Sequence, residues 1–433
     1  MSELSVETTR ILQEARDVSV ATPRICSSEL EAVRDEFTNN EIENWRHNGA
    51  SKAHSLHSMV SRVGGFPPLL ARYFVAAYSE PGDVVLDPFC GKGTTLFEAA
   101  AIGRRAIGGD IAPDAVLTSA AKCANVTVSQ VANYIQELPG ESGINLRGIP
   151  ADVSLFYERL TLRRILAIRK QLLDDMALKG NSARKRTAKF VMGVLLGLLH
   201  GHSRLSLSLP CNQCFAMSPN YVRRYVEEHD LVAPRRNVKE CLLEKALLML
   251  PSPRGFDRVT TYLASADKCD KYMNRSKCKA NLIITSPPYL NRQTYLKDSW
   301  LRLWLLGYDR KELASESFET GNVPFFISAM LRSLRAMWNS LLDEGILVLV
   351  CGRAKVSVGK RKRIAHVNEL CALAASKCGE EGKTFAVEAM ITDRVLMKRG
   401  SYFAVHQGKI GNGNGKKRRR YGEDEILILR KQT

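Results

Sequence analysis

The sequence predicts an α/β fold, an open sheet with helices on both faces and a largely helical insertion. Two observations carry this prediction. Residues 84–86 form the apolar run Val-Val-Leu, which breaks abruptly into the loop Asp-Pro-Phe-Cys-Gly-Lys-Gly-Thr-Thr. Residues 282–284 form a second run, Leu-Ile-Ile, which breaks into Thr-Ser-Pro-Pro-Tyr. Ligands bind at the carboxyl ends of such strands in open α/β sheets, so both loops are candidate ligand sites.

The first part of the predicted sheet is a βαβ unit. Strand 84–87 leads through the glycine loop into a helix that runs to Ala101. A second strand over residues 105–110 follows and ends in Asp110, about 20 residues past the glycine loop. An apolar helix over residues 69–78 precedes the unit.

The sheet is predicted to resume after a long interruption. Residues 119–255 show mostly helical patterns, including an amphipathic stretch over residues 160–173 and a buried helix over residues 188–199. The later elements that we predict are strands over residues 259–263, 282–285, 346–350, 385–395 and 425–429, with a helix over residues 325–342.

Composition narrows the function classes. The 433-residue chain has 45% hydrophobic residues and a formal net charge of +18, from 63 Lys and Arg against 45 Asp and Glu. A surplus of that size favours a polyanionic partner. The 11 cysteines show no disulfide-like rhythm and the N-terminus has no apolar signal segment, so we expect a reducing, cytoplasmic location. The longest apolar stretch, residues 190–199, is too short to span a bilayer, so no membrane partner is expected.

The two loops together resemble those of S-adenosylmethionine-dependent DNA amino-methyltransferases. The Ser-Pro-Pro-Tyr form of the second loop resembles the cytosine-N4 branch of that family. The resemblance covers residues 55–118 and 256–350 well and weakens toward the C-terminus. It implies a Rossmann-like methyltransferase sheet, S-adenosylmethionine as the cofactor and a base flipped from duplex DNA as the substrate.

The pattern along the chain, together with this resemblance, gives the expected domain organisation. Residues 1–50 are expected to be an N-terminal helical extension. Residues 51–118 and 256–433 together form the expected catalytic methyltransferase domain. Residues 119–255 form the helical insertion, which we expect to recognise the target, because the motif order resembles a permuted class with its recognition region between the two loops.

The glycine loop is suited to hold the cofactor. Gly91 and Gly93 let the backbone approach a bulky ligand where a Cβ atom would collide. Thr94 and Thr95 open a helix whose free N–H groups attract a carboxylate, and S-adenosylmethionine carries one. Asp110, at the end of the second strand, can accept hydrogen bonds from both ribose hydroxyls. The family resemblance implies the same roles.

Five further residues complete the expected cofactor site. Asp267, at the end of the third strand, can accept from the adenine amine, and Ile111 can pack on the adenine face. Phe66 matches the family's segment upstream of the glycine loop, which helps close the pocket. Asp87 and Phe89 belong to the glycine-loop motif itself.

The second loop is suited to hold a base amine, a poor nucleophile because its lone pair is delocalised into the ring. The Ser286 hydroxyl and the Pro287 carbonyl can accept its two N–H bonds and rotate the lone pair out of conjugation. Pro288 stiffens the loop, and Tyr289 offers a ring that stacks on an extruded base. No strong general base is required, because the amine becomes cationic on attack and loses its proton later. We therefore predict these four residues as catalytic.

Other motifs in the chain suggest different functions, but each of them departs from the pattern that its function requires. The spacing of the glycine loop is not the dinucleotide Gly-x-Gly-x-x-Gly, and Lys92 lies between the glycines, which is not a P-loop ending. Pro210-Cys211 resembles the nucleophile of cytosine-C5 enzymes but lies far from the fourth-strand position. Cys211 and Cys214 have zinc-like spacing without a second pair, so no metal is expected.

Other substrates and roles stay open at this point. Adenine N6 is the alternative to cytosine N4, although Ser286 replaces the Asp or Asn usual in adenine enzymes. An RNA substrate is not separated from DNA by the charge pattern. A non-catalytic DNA-binding module predicts damage in the acceptor loop or the cofactor carboxylates, and neither is damaged.

Nucleic-acid contacts are expected at two places. Asn291, Arg292 and Tyr295 follow the acceptor loop and can contact the flipped nucleotide. A basic run next to a Gly-Asn-rich stretch can clamp phosphates without reading sequence. The run consists of Lys416, Lys417, Arg418, Arg419 and Arg420. The expected partner is double-stranded DNA, and whether a cognate restriction endonuclease of a restriction-modification system accompanies the protein stays open.

Overall fold

The structure is a computed structural model that describes the following residues: 8–11, 24–26, 54–62, 65–140, 143–201, 203–210, 218–250, 258–288, 295–314, 322–352, 355–358, 363–379, 383–396 and 421–432.

The described strands form one eight-stranded mixed sheet and one two-stranded ribbon. The large sheet has the order β1-β9-β10-β6-β5-β2-β3-β4, and β7 pairs with β8. Strand β10 is antiparallel to both of its neighbours, whereas the pairs from β6 through β4 are parallel. The strands are β1 (Arg24–Cys26), β2 (Val84–Asp87), β3 (Arg105–Asp110), β4 (Val259–Leu263), β5 (Ala280–Thr285), β6 (Leu341–Gly352), β7 (Lys355–Val358), β8 (Arg363–His366), β9 (Phe385–Leu396) and β10 (Tyr421–Lys431).

Helices separate most of the strands along the chain, and the longest helical stretch lies between β3 and β4. In the described residues the α-helices are α1 (Pro68–Tyr78), α2 (Thr94–Ala101), α3 (Pro113–Lys122), α4 (Val128–Glu137), α5 (Ala151–Ser154), α6 (Arg159–Ala177), α7 (Ala183–Leu198), α8 (Pro219–His229), α9 (Val238–Met249), α10 (Cys269–Arg275), α11 (Tyr295–Asp298), α12 (Trp300–Leu306), α13 (Arg310–Ala314), α14 (Val323–Ser340) and α15 (Val367–Ala375).

Two apolar cores lie on opposite faces of the sheet, because successive side chains of a strand point to opposite sides. Val85 and Ile284 belong to the first core, together with helices α1, α2, α6, α7 and α9. Leu86 and Ile283 belong to the second core, which is filled from α10, α14 and α15. The sheet is therefore covered by helices on both faces, as the sequence predicts.

The helical stretch between β3 and β4 packs directly against the segment that precedes α1. Helix α7 passes so close to this segment that a Cβ atom at Gly197 would lie 1.9 Å from the carbonyl oxygen of Met59. Both Met59 and the apolar face of α7 are buried in the first core. The helical stretch and the sheet therefore share one continuous core.

The N-terminal region differs from its expected helical character. Residues 8–11 are helical, and Ile11 is fully buried in the second core. Residues 24–26, however, form β1, which pairs in parallel with Met390 to Thr392 of β9. A three-residue strand has too little pattern to be predicted from sequence, and it forms here because the edge of β9 offers backbone partners.

Within the described part of the chain, no helix has the length and apolarity needed to cross a bilayer. No group of three or more His, Cys, Asp or Glu side chains in those ranges is arranged to hold a metal ion. Cys211 and Cys214 lie outside the described residues.

Candidate functional site

One pocket opens at the carboxyl ends of four neighbouring strands, β4, β3, β2 and β5. The glycine loop follows β2 and the acceptor loop follows β5, so both motifs reach the same pocket. The residues expected to bind the cofactor that line it are Phe66, Asp87, Phe89, Gly91, Thr94, Asp110 and Ile111. From the acceptor loop, Ser286 and Pro288 line it as well, and Pro287 is buried behind them.

The glycine loop takes a conformation that requires its glycines. Gly91 and Gly93 have φ angles of +50° and +70°, in the left-handed region. The N–H of Gly93 donates to the carbonyl of Cys90 at 2.7 Å. A Cβ atom at Gly93 would lie 2.7 Å from Ser119 Oγ on helix α3, so this position also needs glycine for packing. Helix α2 then begins at Thr94, with its free N–H groups at the pocket.

Asp110 closes the loop from the end of β3. Its two carboxylate oxygens accept from the backbone N–H groups of Gly91 and Ala112, both at 2.9 Å. Burial raises the pKa of Asp110, although the charge of Arg62 opposes that shift. Each oxygen keeps a further lone pair, so the carboxylate can still accept hydroxyl protons from a ligand.

Arg62 stands beside this carboxylate and was not predicted from the sequence. Its guanidinium donates to Asp114 at 2.8 Å and lies 6.0 Å from the ring centroid of Tyr295. Although burial opposes it, the carboxylates of Asp114 and Asp110 raise the pKa of Arg62. No motif surrounds Arg62, and only the fold brings residues 62, 114 and 295 together.

A buried hydrogen bond joins the two motif strands. The Thr285 hydroxyl, at the end of β5, donates to Asp87 Oδ1 at 2.6 Å. Asp87 ends β2 and is 2% exposed. Burial raises the pKa of Asp87 to about 7, although the hydrogen bond from Thr285 opposes that shift. The cofactor and acceptor loops thus begin from two residues in direct contact.

Three of the expected cofactor residues do not line the pocket. Gly93 packs against Ser119, and the buried Thr95 hydroxyl donates to the Ile284 carbonyl at 3.3 Å. Asp267 forms an ion pair with Arg332 at 3.5 Å, while its Oδ1 atom is buried without a hydrogen-bond partner. The wall next to Asp267 is formed instead by Ser265 and Ala266.

Tyr289, Asn291 and Arg292 lie outside the described residues, as do the five residues of the basic run, 416–420. Two further lining residues, Gly65 and Lys92, were not assigned from the sequence. Burial lowers the pKa of Lys92. Its position between the two glycines was visible in the sequence, but its place on the pocket wall depends on the fold.

Comparison with known proteins gives partial matches. A protein-family model for N6/N4 methyltransferases, described as a DNA methylase, matches residues 11–121. The type II methyltransferase M.MjaII of Methanocaldococcus jannaschii is 30% identical over 83 residues, which are 19% of this chain and 16% of that protein. The type II methyltransferase M.MthZI of Methanothermobacter thermautotrophicus is 42% identical over 60 residues, 14% of this chain and 17% of that protein. The chain thus matches less than a fifth of the length of either curated relative.

Solved structures superpose weakly. TrmN from Thermus thermophilus has 12% identity and a TM-score of 0.29, covering 87% of this chain and 52% of that chain. The rRNA methyltransferase aviRa from Streptomyces viridochromogenes has 11% identity and a TM-score of 0.31, covering 89% and 96%. The family model and the curated relatives support an amino-methyltransferase that uses S-adenosylmethionine, and they do not separate the cytosine-N4 from the adenine-N6 branch.

Proposed function

We propose that this protein is a DNA methyltransferase that transfers a methyl group from S-adenosylmethionine to the N4 amine of a flipped cytosine. The observation that carries the proposal is the shared pocket of the glycine loop and the Ser-Pro-Pro loop, whose strands are joined by the Thr285–Asp87 hydrogen bond. A cofactor loop and an amine-accepting loop on one wall are what a methyl transfer between two bound molecules needs.

The residues present fit the cofactor. When bound, S-adenosylmethionine supplies an electrophilic methyl group. Asp110 offers free lone pairs to ribose hydroxyls, and Phe66 and Ile111 provide apolar surface on the pocket wall. The Oδ1 atom of Asp267, which is buried without a hydrogen-bond partner, would accept from the adenine amine. The N-terminus of α2 at Thr94 offers N–H groups to a carboxylate.

The acceptor loop would orient the target amine. The Ser286 hydroxyl and the Pro287 carbonyl accept the two N–H bonds and direct the nitrogen lone pair toward the methyl group. Tyr289 stacks on the flipped base. Because the transferred methyl makes the amine cationic, its proton leaves for solvent without a dedicated strong base.

Ser286 favours cytosine N4, because most adenine enzymes of this type carry Asp or Asn at that position. Adenine N6 is the second candidate, since some enzymes with the same four-residue motif use it and the family match covers both amines.

DNA engagement is proposed for three regions. The helical segment 119–255 would recognise the target sequence, and Asn291 and Arg292 would contact the flipped nucleotide. The basic run 416–420 would hold phosphates, consistent with the net charge of +18. A restriction endonuclease that acts on the same site is the proposed biological partner.

The test is expression in a bacterial host without DNA methylation, followed by hydrolysis of its DNA and mass spectrometry of the nucleosides. We expect N4-methylcytosine with the wild type and none with Ser286→Ala. N6-methyladenine would establish the second candidate, and 5-methylcytosine would reject both. If the DNA is unmodified and the purified protein methylates RNA, the substrate is RNA and the DNA assignment is wrong.

A further inference from the structure

Two segments of the chain combine many cations with no acidic residue. Residues 353–366, which follow β6 and contain the β7–β8 ribbon, carry six Lys and Arg and no Asp or Glu. Residues 397–420, which connect β9 to β10 and include the basic run, carry eight Lys and Arg and again no Asp or Glu. The two segments thus hold fourteen cations in a chain whose net charge is +18.

The sheet topology places the ends of both segments at the pocket edge. Strand β6 is parallel to β5, so it ends at the edge that carries the acceptor loop. Strand β10 begins where β6 ends, because Asp424 pairs with Gly352. Strand β9 ends where β10 begins, because Leu396 pairs with Tyr421. The β7–β8 ribbon and the β9–β10 connection therefore both start from the edge at which the proposed target base is bound.

Strand β6 also extends beyond the end of its neighbour β5. Thr285 ends β5 and pairs with Leu349, while β6 continues for three more residues to Gly352. At about 3.3 Å per residue, the ribbon begins roughly 10 Å above the end of β5. A duplex that delivers a flipped base to Ser286 has to lie above this edge of the sheet. The ribbon therefore begins at the height expected for the DNA backbone.

The sign of the charge changes along β6. Residues 343–344, Asp-Glu near its amino end, are exposed, whereas its carboxyl end leads into the six cations of residues 353–366. Four acidic residues do lie beside the end of β6, in the neighbouring strands β9 and β10: Asp393, Glu423, Asp424 and Glu425. Asp393 and Glu425 are only 1% and 2% exposed. These four residues are too few to offset the fourteen cations of the two segments.

The ribbon has the form of a known type of DNA-binding element. It is antiparallel, with Lys355 opposite His366 and Arg363 opposite Val358. The four residues that connect its strands have the sequence Gly-Lys-Arg-Lys. A two-stranded ribbon is narrow enough to enter a groove of duplex DNA, and Lys and Arg side chains bind the phosphates that border it.

We propose that the β7–β8 ribbon binds the phosphate backbone of duplex DNA beside the flipped base and thereby positions the duplex over the acceptor loop. This inference rests on the proposed function, because it presupposes DNA as the substrate. Phosphate contacts position a duplex without reading its sequence, so the ribbon should contribute affinity and leave the methylated sequence unchanged.

The experiment measures DNA affinity against salt concentration by fluorescence anisotropy, with a labelled duplex of random sequence as the probe. The double variant Lys355→Gln with Arg363→Gln removes one cation from each strand of the ribbon. It should flatten the slope of log affinity against log salt by about 0.9 to 1.8, because each lost phosphate contact contributes about 0.9. Lys355→Arg with Arg363→Lys keeps both charges and should keep most of the slope.

Two cations at the opposite edge of the sheet provide the matched control. Arg275 ends α10 and Lys277 follows it, ahead of the amino end of β5, and both are exposed. Arg275→Gln with Lys277→Gln removes the same amount of charge and should leave the salt slope at its wild-type value. An equal flattening in the two double variants would mean that net charge alone matters, and it would overturn the assignment to the ribbon.

Methylation kinetics and cofactor binding give two further readouts on the same samples. The ribbon variant should raise the KM for DNA, leave kcat unchanged and bind S-adenosylmethionine like the wild type. A wild-type salt slope in this variant overturns the inference while the proposed function stands. A loss of cofactor affinity also overturns it, because the ribbon would then support the cofactor site. If the wild type does not bind duplex DNA, the proposed DNA substrate is rejected, and this inference with it.

Discussion

The two loops that meet at the pocket are held in different ways. The glycine loop is fixed by the surrounding chain, since Asp110 accepts the Gly91 N–H and Ser119 Oγ donates to the Gly91 carbonyl at 3.0 Å. The described part of the acceptor loop is held by fewer contacts, chiefly the Thr285–Asp87 hydrogen bond and the burial of Pro287. Within the described residues, the glycine loop is therefore held by more internal contacts than residues 285–288.

This difference predicts that substitutions in the two loops affect different quantities, folding stability in one and catalysis in the other. Substitutions of Gly91 and Gly93 should damage the folded state as well as cofactor binding, because the contacts of these glycines are internal. Substitutions at Ser286 should damage catalysis alone, because we propose that its hydroxyl binds the substrate. Four expectations test that division, in order of decreasing size.

The largest effect is expected at the acceptor loop. Ser286→Ala should lower the rate of methyl transfer by about 1000-fold, by removing an acceptor that orients the amine. Cofactor affinity should stay within about twofold, because Ser286 is not expected to touch the ribose or adenine. Single-turnover methylation and calorimetry on the same samples measure the two quantities. Cys211→Ser is the control, and an inactive Cys211→Ser with an active Ser286→Ala would establish a thiolate mechanism instead.

The next effect concerns Asp87, which links the two loops. Its folded-state pKa of about 7 lies above the ordinary value of 3.8, so the protonated form stabilises the fold. That contribution is fully present below pH 3.8 and is lost as the pH rises to about 7. Asp87→Asn should therefore gain stability relative to the wild type over this range, by up to about 4 kcal/mol, and level off above it. Urea unfolding at four pH values between 4 and 8 measures the difference, and a pH-independent difference would contradict the expectation.

Two glycine substitutions then separate the cost of backbone strain from the cost of steric overlap with Ser119. Gly91→Ala should cost about 1–2 kcal/mol of unfolding free energy from its positive φ alone, since a Cβ atom at this position would meet nothing nearer than 3.9 Å. Gly93→Ala should cost about 3 kcal/mol or more, because it also overlaps Ser119. Ser286→Ala serves as the reference from the other loop and should stay within about 0.5 kcal/mol. Equal losses at the two glycines would show that the loop can shift away from Ser119.

The smallest effect is expected for the carboxylates at the ends of β3 and β4. Asp110→Ala should weaken S-adenosylmethionine binding by about 1–3 kcal/mol. Asp267→Ala should weaken it by about 1 kcal/mol, because this carboxylate is shared with Arg332. Calorimetry with each variant gives both values. Wild-type affinity in both would remove these carboxylates from the cofactor site.

The sequence was sufficient where local pattern determines structure. Strands β2, β3 and β4 begin and end at the predicted residues, because apolar runs between turn signals leave little choice. It was insufficient where distant residues meet. Arg62 and Tyr295 join the pocket wall only through the fold, and nothing near Asp267 in the sequence indicates its ion pair with Arg332, 65 residues away.

The contact between Gly197 and the Met59 carbonyl sets a condition for protein engineering. Suppose the helical segment between β3 and β4, which we propose recognises the target, were exchanged for a different segment. A side chain at position 197 would displace the Met59 carbonyl and the stretch that leads to Arg62, a residue of the pocket wall. A chimaera that ignores this position would alter the pocket wall along with the exchanged segment. An exchanged segment must therefore keep glycine at position 197.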